Sequence, residues 1–127
     1  MGMKGSFDNS QPIFRQIIDH MLQSIASGEL SPGSKVASVR DLALEYRVNP
    51  NTMQKSLAKL EEMGYLYTER TSGRYVTQDY ALIESLKSRL PVQVTEKYVK
   101  EMQECGIAPQ DIPQYVNSEL GRVSSNG

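Results

Sequence analysis

Two closely spaced helix starts constrain the fold of this chain more than any other feature. Ser38 and Asp41 have the spacing of a capping box, which predicts a short helix over 38–46. Asn49 and Pro50 form a second start, because asparagine caps helices well and proline fits the first helical turn. The link between the two helices is then only about three or four residues long. Two short helices joined in this way are typical of a helix-turn-helix.

Further periodic patterns lie on both sides of this pair. An apolar stripe, with Ser10 as a candidate N-cap and Gly28 as a stop, predicts a first helix over 11–27. After the second short helix, β-forming residues at 65–70 and 74–77 flank a glycine-containing connection, which indicates a β-hairpin. A hairpin that directly follows a helix-turn-helix is a wing.

The C-terminal part is predicted to be helical again. Apolar spacing marks a helix over 79–90 that Pro91 should stop, and a second helix that Gly106 should end. Asp111 is placed to cap a last short helix that carries Ile112, Val116 and Leu120. Residues 121–127 are polar, and we expect them to be a disordered tail.

The expected fold is therefore mostly α with a small β-hairpin: a winged helix-turn-helix followed by a short helical tail. We divide the chain into a winged helix-turn-helix domain at 1–77, a helical region at 78–120 and the tail at 121–127. The helical region has more apolar surface than two exposed helices should show, so part of it must pack on the winged domain or on a second chain. These apolar positions are Leu82, Ile83, Leu86, Leu90, Val94, Tyr98 and Met102.

Composition excludes several classes of protein. The chain has 127 residues with one cysteine and one histidine, which rules out a disulfide framework and argues against a two-histidine metal site within one chain. No apolar run reaches the length of a membrane span, and no signal peptide precedes the first helix pattern, so we expect a cytoplasmic protein. No nucleophile–base spacing, acid pair or phosphate loop indicates an enzyme or a cofactor. We read His20 as a surface residue and Cys105 as a small core residue.

The second short helix carries the functional prediction, because its two faces differ. Met53, Leu57 and Leu60 share one face and are expected to point inward. The opposite face is polar and cationic, and consists of Asn51, Gln54, Lys55 and Ala58. Asparagine and glutamine can pair with adenine, and lysine can reach guanine or phosphate, so this face suits a recognition helix in the major groove. Since the net charge is only −1, a nucleic-acid surface must be local.

Other cations extend this candidate DNA surface. Arg40 in the first turn of the preceding helix could reach phosphate or a base edge, although it could instead pair with a neighbouring acid. Arg70 and Arg74 flank the hairpin tip, where Gly73 would allow close approach to a sugar-phosphate backbone. Lys35 and Lys59 are weaker candidates for phosphate contacts. Tyr75 is expected to pack within the hairpin rather than to stack on a base.

A winged helix can also serve as a protein-interaction module without DNA binding, which is the main alternative. That function would predict an acidic or apolar outward face at 51–58, whereas the sequence has Asn, Gln and Lys there. RNA binding is a further alternative, but no aromatic-rich sheet supports base stacking.

The chain resembles the GntR family of bacterial transcriptional regulators over roughly residues 11–77. The resemblance implies a winged helix-turn-helix that binds operator DNA as a homodimer, most simply as a repressor. Ala37 stands where the family often has proline, and Thr71 stands where the wing usually has its first glycine, while Pro50 and Gln54 replace arginines of some branches. The matching segments are 11–17, 28–36, 38–43, 48–52 and 60–65 with the wing. The contacts that the resemblance carries over are Arg40, Asn51, Thr52, Gln54, Lys55 and Gly73.

Only 50 residues follow the wing, which is similar to the small YtrA-type branch of the family. That branch implies a helical tail that serves dimerisation. A twofold dimer would place two recognition helices about one DNA turn, or roughly 34 Å, apart. A small-molecule effector would have to bind between the C-terminal helices or at the dimer seam, and the sequence names no such ligand.

Overall fold

The computed structural model describes residues 12–126, so the candidate cap Ser10 lies outside the described residues. The chain divides into two compact units between residues 88 and 89. The first unit contains α1 (Ile13–Ser27), α2 (Val39–Tyr46), α3 (Pro50–Glu62), β1 (Leu66–Glu69), β2 (Gly73–Val76) and the first part of α4 (Tyr80–Glu104). The second unit contains the rest of α4, a short 3-10 helix (Pro109–Asp111) and α5 (Ile112–Asn126).

Both predicted helix caps of the helix-turn-helix are present. The Ser38 side chain accepts a hydrogen bond from the Asp41 backbone N–H at 3.1 Å, and Asn49 Oδ1 accepts one from the Asn51 N–H at 2.7 Å. Between α2 and α3 the chain turns at Arg47, whose φ of 59° is left-handed. The link is residues 47–49, as short as the sequence predicted.

The core of the first unit lies between α1 and α3, with α2 packed against α3. Met53, Leu57 and Leu60 are fully buried, which confirms the predicted inward face of α3. Tyr46 on α2 is also buried, and its hydroxyl lies 2.7 Å from Nδ1 of His20. The reading of His20 as a surface residue was therefore wrong: it is half-buried. Burial, followed by the nearby Glu45 and Glu29 carboxylates, raises the pKa of Tyr46 above its ordinary value.

The hairpin pairs β1 and β2 in antiparallel register, from Leu66 opposite Val76 to Glu69 opposite Gly73. The rings of Tyr67 and Tyr75 stack across it, with centroids 5.7 Å apart, in agreement with the expected packing role of Tyr75. Residues 33–36, between α1 and α2, pair with β2 through backbone hydrogen bonds, an addition to the hairpin that the sequence did not reveal. These backbone hydrogen bonds run from the Val36 N–H to the Arg74 oxygen at 2.8 Å and from the Val76 N–H to the Ser34 oxygen at 2.9 Å.

Pro91 does not stop the helix that precedes it. The structure has one helix, α4, where the sequence predicted two, and Pro91 lies exposed within it. A proline inside a helix removes one backbone hydrogen bond and crowds the carbonyl four residues before it, but here the helix continues on both sides. The Thr95 hydroxyl donates to the Pro91 carbonyl at 2.7 Å.

The second unit continues α5 through most of the segment predicted to be a disordered tail. α5 extends to Asn126, because Val123 prolongs the apolar stripe and an ion pair between Glu119 and Arg122 adds a contact one turn apart. Cys105 is exposed, so its prediction as a core residue was wrong. No helix within residues 12–126 combines the length and apolarity that a membrane span requires.

Candidate nucleic-acid interface

The outward face of α3 is available to a ligand. Asn51, Gln54, Lys55 and Ala58 are all exposed, as the helical spacing predicted, and Thr52 beside them is half-buried. The Lys55 ammonium lies 4.3 Å from the centre of the Phe14 ring on α1, a cation–π contact that holds the charge beside the helix. The face therefore presents two amides and one oriented cation, which are the groups that read base edges and phosphates.

Arg40 is the second residue of α2 and is exposed. Within residues 12–126 it forms no ion pair with Asp41 or Glu45, which was the alternative role for this side chain. Its guanidinium is therefore free to bind a phosphate or a base edge beside α3.

The wing brings Arg70, Gly73 and Lys35 into one region. Arg70 and Gly73 are exposed at the hairpin connection, and Gly73 has a φ of 122°, which favours glycine. A Cβ on Gly73 would stand 3.1 Å from Cε and 3.8 Å from Nζ of Lys35. Lys35 reaches the wing because residues 33–36 pair with β2. Lys35 was only a weaker candidate from sequence, because no local signal reveals a pairing of segments about 40 residues apart.

Arg74 is placed differently from the other predicted contacts. Its Nε donates to Glu61 Oε1 on α3 at 3.2 Å, and its side chain is 19% exposed. Lys59 is also engaged, since its ammonium lies 3.1 Å from the Glu62 carboxylate. Both acids at the end of α3 are thus paired with cations.

The region with this geometry, residues 14–76, matches the family model described as "Bacterial regulatory proteins, gntR family". The chain is also 34% identical to YhcF of Bacillus subtilis (strain 168), an uncharacterized HTH-type transcriptional regulator, over 110 residues. The match covers 87% of this chain and 91% of YhcF. This chain belongs to the GntR family. It is a DNA-binding transcriptional regulator and not an enzyme, and its predicted resemblance to the family is confirmed.

Two further relatives agree with this assignment. The chain is 39% identical to the HTH-type transcriptional repressor YtrA of Bacillus subtilis (strain 168) over 71 residues, which are 56% of this chain and 55% of YtrA. Among solved structures, a GntR family transcriptional regulator from Listeria monocytogenes is 39% identical with a TM-score of 0.75. That match covers 88% of this chain and 98% of the other, and confirms the predicted mostly helical winged fold.

The residues predicted for dimerisation of this GntR regulator fall into two groups. Ile83 and Leu86 are 4% and 0% exposed in the single chain, so they belong to the core of the first unit and cannot line an interface. Leu82, Leu90, Tyr98 and Met102 are half-buried, and Val94 is exposed.

The second unit has a further exposed apolar face, on α5, that extends beyond the residues singled out in the sequence. Of the apolar side chains described in the second unit, only Ile112 is buried. A groove of about 650 Å³ is lined by Val94, Tyr98, Ile112, Val116 and Leu120, among others. The exposed apolar side chains on α5 are Tyr115, Val116, Leu120 and Val123. The spacing of Ile112, Val116 and Leu120 was visible in the sequence, but the expected end of the helix at residue 120 hid its continuation to Val123.

Proposed function

We propose that this GntR-family regulator is a cytoplasmic homodimeric repressor that reads a pseudo-palindromic operator with α3 and the wing. The observation that carries the proposal is the outward face of α3, which exposes Asn51, Gln54 and Lys55 while both acids at its end are paired with cations. An acidic or apolar face, as expected of a protein-interaction module without DNA binding, is not present there. The relative YtrA is named a repressor, which supports the direction of control.

In this proposal the contacts divide into two classes. Asn51 and Gln54 read base edges in the major groove, with Thr52 and Lys55 beside them. The wing and α2 contact the sugar-phosphate backbone, where cations set affinity and register but carry little sequence information. We assign the backbone contacts to Arg40, Arg70, Gly73 and Lys35.

The homodimer is supported by the second unit. Of the apolar side chains described in this unit only Ile112 is buried, so the unit has little core of its own, and a second copy would bury the α5 face. A twofold dimer would bring two copies of α3 to half-sites about one helical turn of DNA apart. We place the binding site of any small-molecule effector at this same dimer interface.

Selection from a random double-stranded DNA pool tests the proposal. At about 150 mM salt, where non-specific phosphate binding is weakened, we expect enrichment of a pseudo-palindromic consensus. A parallel selection with Gln54→Ala should relax the consensus at matching positions in both half-sites, because Gln54 would read one base in each. Failure of the folded dimer to enrich any sequence would contradict the proposal.

A further inference from the structure

The carboxylate of Glu61 joins the last turn of α3 to both strands of the wing. Its Oε1 accepts from Arg74 Nε on β2 at 3.2 Å, and its Oε2 accepts from the Thr68 hydroxyl on β1 at 2.8 Å. Thr68 and Arg74 lie directly opposite each other in the hairpin register. The Glu61 side chain therefore holds the paired residues Thr68 and Arg74 of the hairpin against α3.

The position of Glu61 on α3 explains why it needs these partners. Glu61 follows Gln54 by seven residues, or about two helical turns, so the two side chains lie on the same outward face. An unpaired carboxylate there would repel the phosphates of DNA bound to that face. The partial burial of the pair, at 19% exposure for Arg74 and 34% for Glu61, also weakens solvent screening of the attraction between them.

Arg74 and Arg70, which lies at the hairpin connection, differ in whether they have a carboxylate partner. Arg70 is exposed and forms no ion pair within the part of the chain that the structure describes. Arg74 has its guanidinium directed to a carboxylate on α3. The two arginines flanking the wing therefore have different surroundings, although the sequence presents them as a similar pair.

We propose that Arg74 is a positioning residue that acts through Glu61. It fixes the wing on α3 so that Arg70 and Gly73 meet the DNA backbone while Gln54 meets a base, and it does not itself bind phosphate. This inference rests on the proposed function, because it assigns a role within the same DNA-binding site. It predicts that the ion pair contributes to discrimination between sequences rather than to general attraction for DNA.

The charge-neutral double variant Glu61→Gln/Arg74→Met tests this role. Affinity is measured for the selected consensus duplex and for an unrelated duplex of equal length, across a range of salt concentrations. We expect the consensus affinity to fall about tenfold, since the wing and α3 no longer engage together. Because net charge and the exposed wing cations are unchanged, affinity for the unrelated duplex and its salt dependence should stay at their original values.

Two further variants keep the test decisive. Thr68→Val removes only the hydroxyl contact to Glu61, and it should lower consensus affinity in the same selective way by a smaller factor. Arg70→Ala is the control for a phosphate contact: it should weaken binding to both duplexes and reduce the logarithmic salt slope by about 0.9. Circular dichroism melts verify that each variant is folded at the assay temperature.

Two outcomes would contradict the positioning role of Arg74, and a third would contradict the proposed function itself. If the double variant behaves like Arg70→Ala, Arg74 binds phosphate directly and the inference is wrong. If it binds both duplexes as the original chain does, the ion pair has no role in positioning, and the inference is also wrong. If the original chain does not distinguish the two duplexes, the proposed function fails, and the positioning role fails with it.

Discussion

Replacing Arg40 with alanine is expected to weaken binding to the consensus duplex by about tenfold to a hundredfold while the dimer stays intact. Arg40 is exposed, is held in the first turn of α2 next to the Ser38 cap, and has no carboxylate partner within residues 12–126. The loss would therefore be a lost DNA contact and not a broken ion pair. Fluorescence anisotropy at near-physiological salt measures the affinity, and sedimentation measures the assembly state.

Two companion variants test whether the effect is specific to Arg40 and what kind of contact Arg40 makes. Lys87→Ala removes one exposed cation from α4, and it should leave affinity nearly unchanged. Arg40→Lys keeps the charge but loses the planar fork of donors, so it should restore most of the affinity only if Arg40 binds phosphate as a point charge. Unchanged affinity of Arg40→Ala would remove this residue from the interface.

Introducing a carboxylate on α5 with Leu120→Glu is expected to weaken the dimer by at least about a hundredfold. Leu120 is 60% exposed in the single chain and lines the apolar groove of the second unit, so a buried seam there would leave the new charge without a partner. Operator affinity should fall as well, because each winged domain would then bind its half-site alone. Analytical ultracentrifugation over a concentration series measures the dimer constant.

The matched control for this variant is Leu44→Glu on α2. Leu44 is 71% exposed and lies in the first unit, so the same charge at an apolar surface position there should leave the dimer intact. Dissociation by both variants, or by neither, would contradict the assignment of the seam to α5.

Local signals were enough to predict the helix-turn-helix. Ser38 and Asn49 cap their helices through side chains acting over two or three residues, and such contacts are encoded in short segments of sequence. The inward and outward faces of α3 also follow from the helical period alone, so the exposure of the candidate contacts on α3 was predictable.

Long-range contacts were not predictable in the same way. Lys35 beside Gly73 and Arg74 on Glu61 depend on how separate segments pair in three dimensions, and a charged side chain at a hairpin looks the same in sequence whether it is free or paired. The predictions at Pro91 and in the tail failed for another reason. Propensity rules describe an average cost, and here α4 continues through Pro91 and α5 continues to Asn126 despite that cost.

Half-site spacing tests the central claim, a dimer reading two symmetric half-sites, most directly. The consensus duplex is compared with one in which about five base pairs, half a helical turn, are inserted between the half-sites. We predict two chains per consensus duplex and at least about a hundredfold weaker binding after the insertion, because the second half-site then faces away. Equal affinity for both duplexes, or one chain per duplex at saturation, would contradict the account.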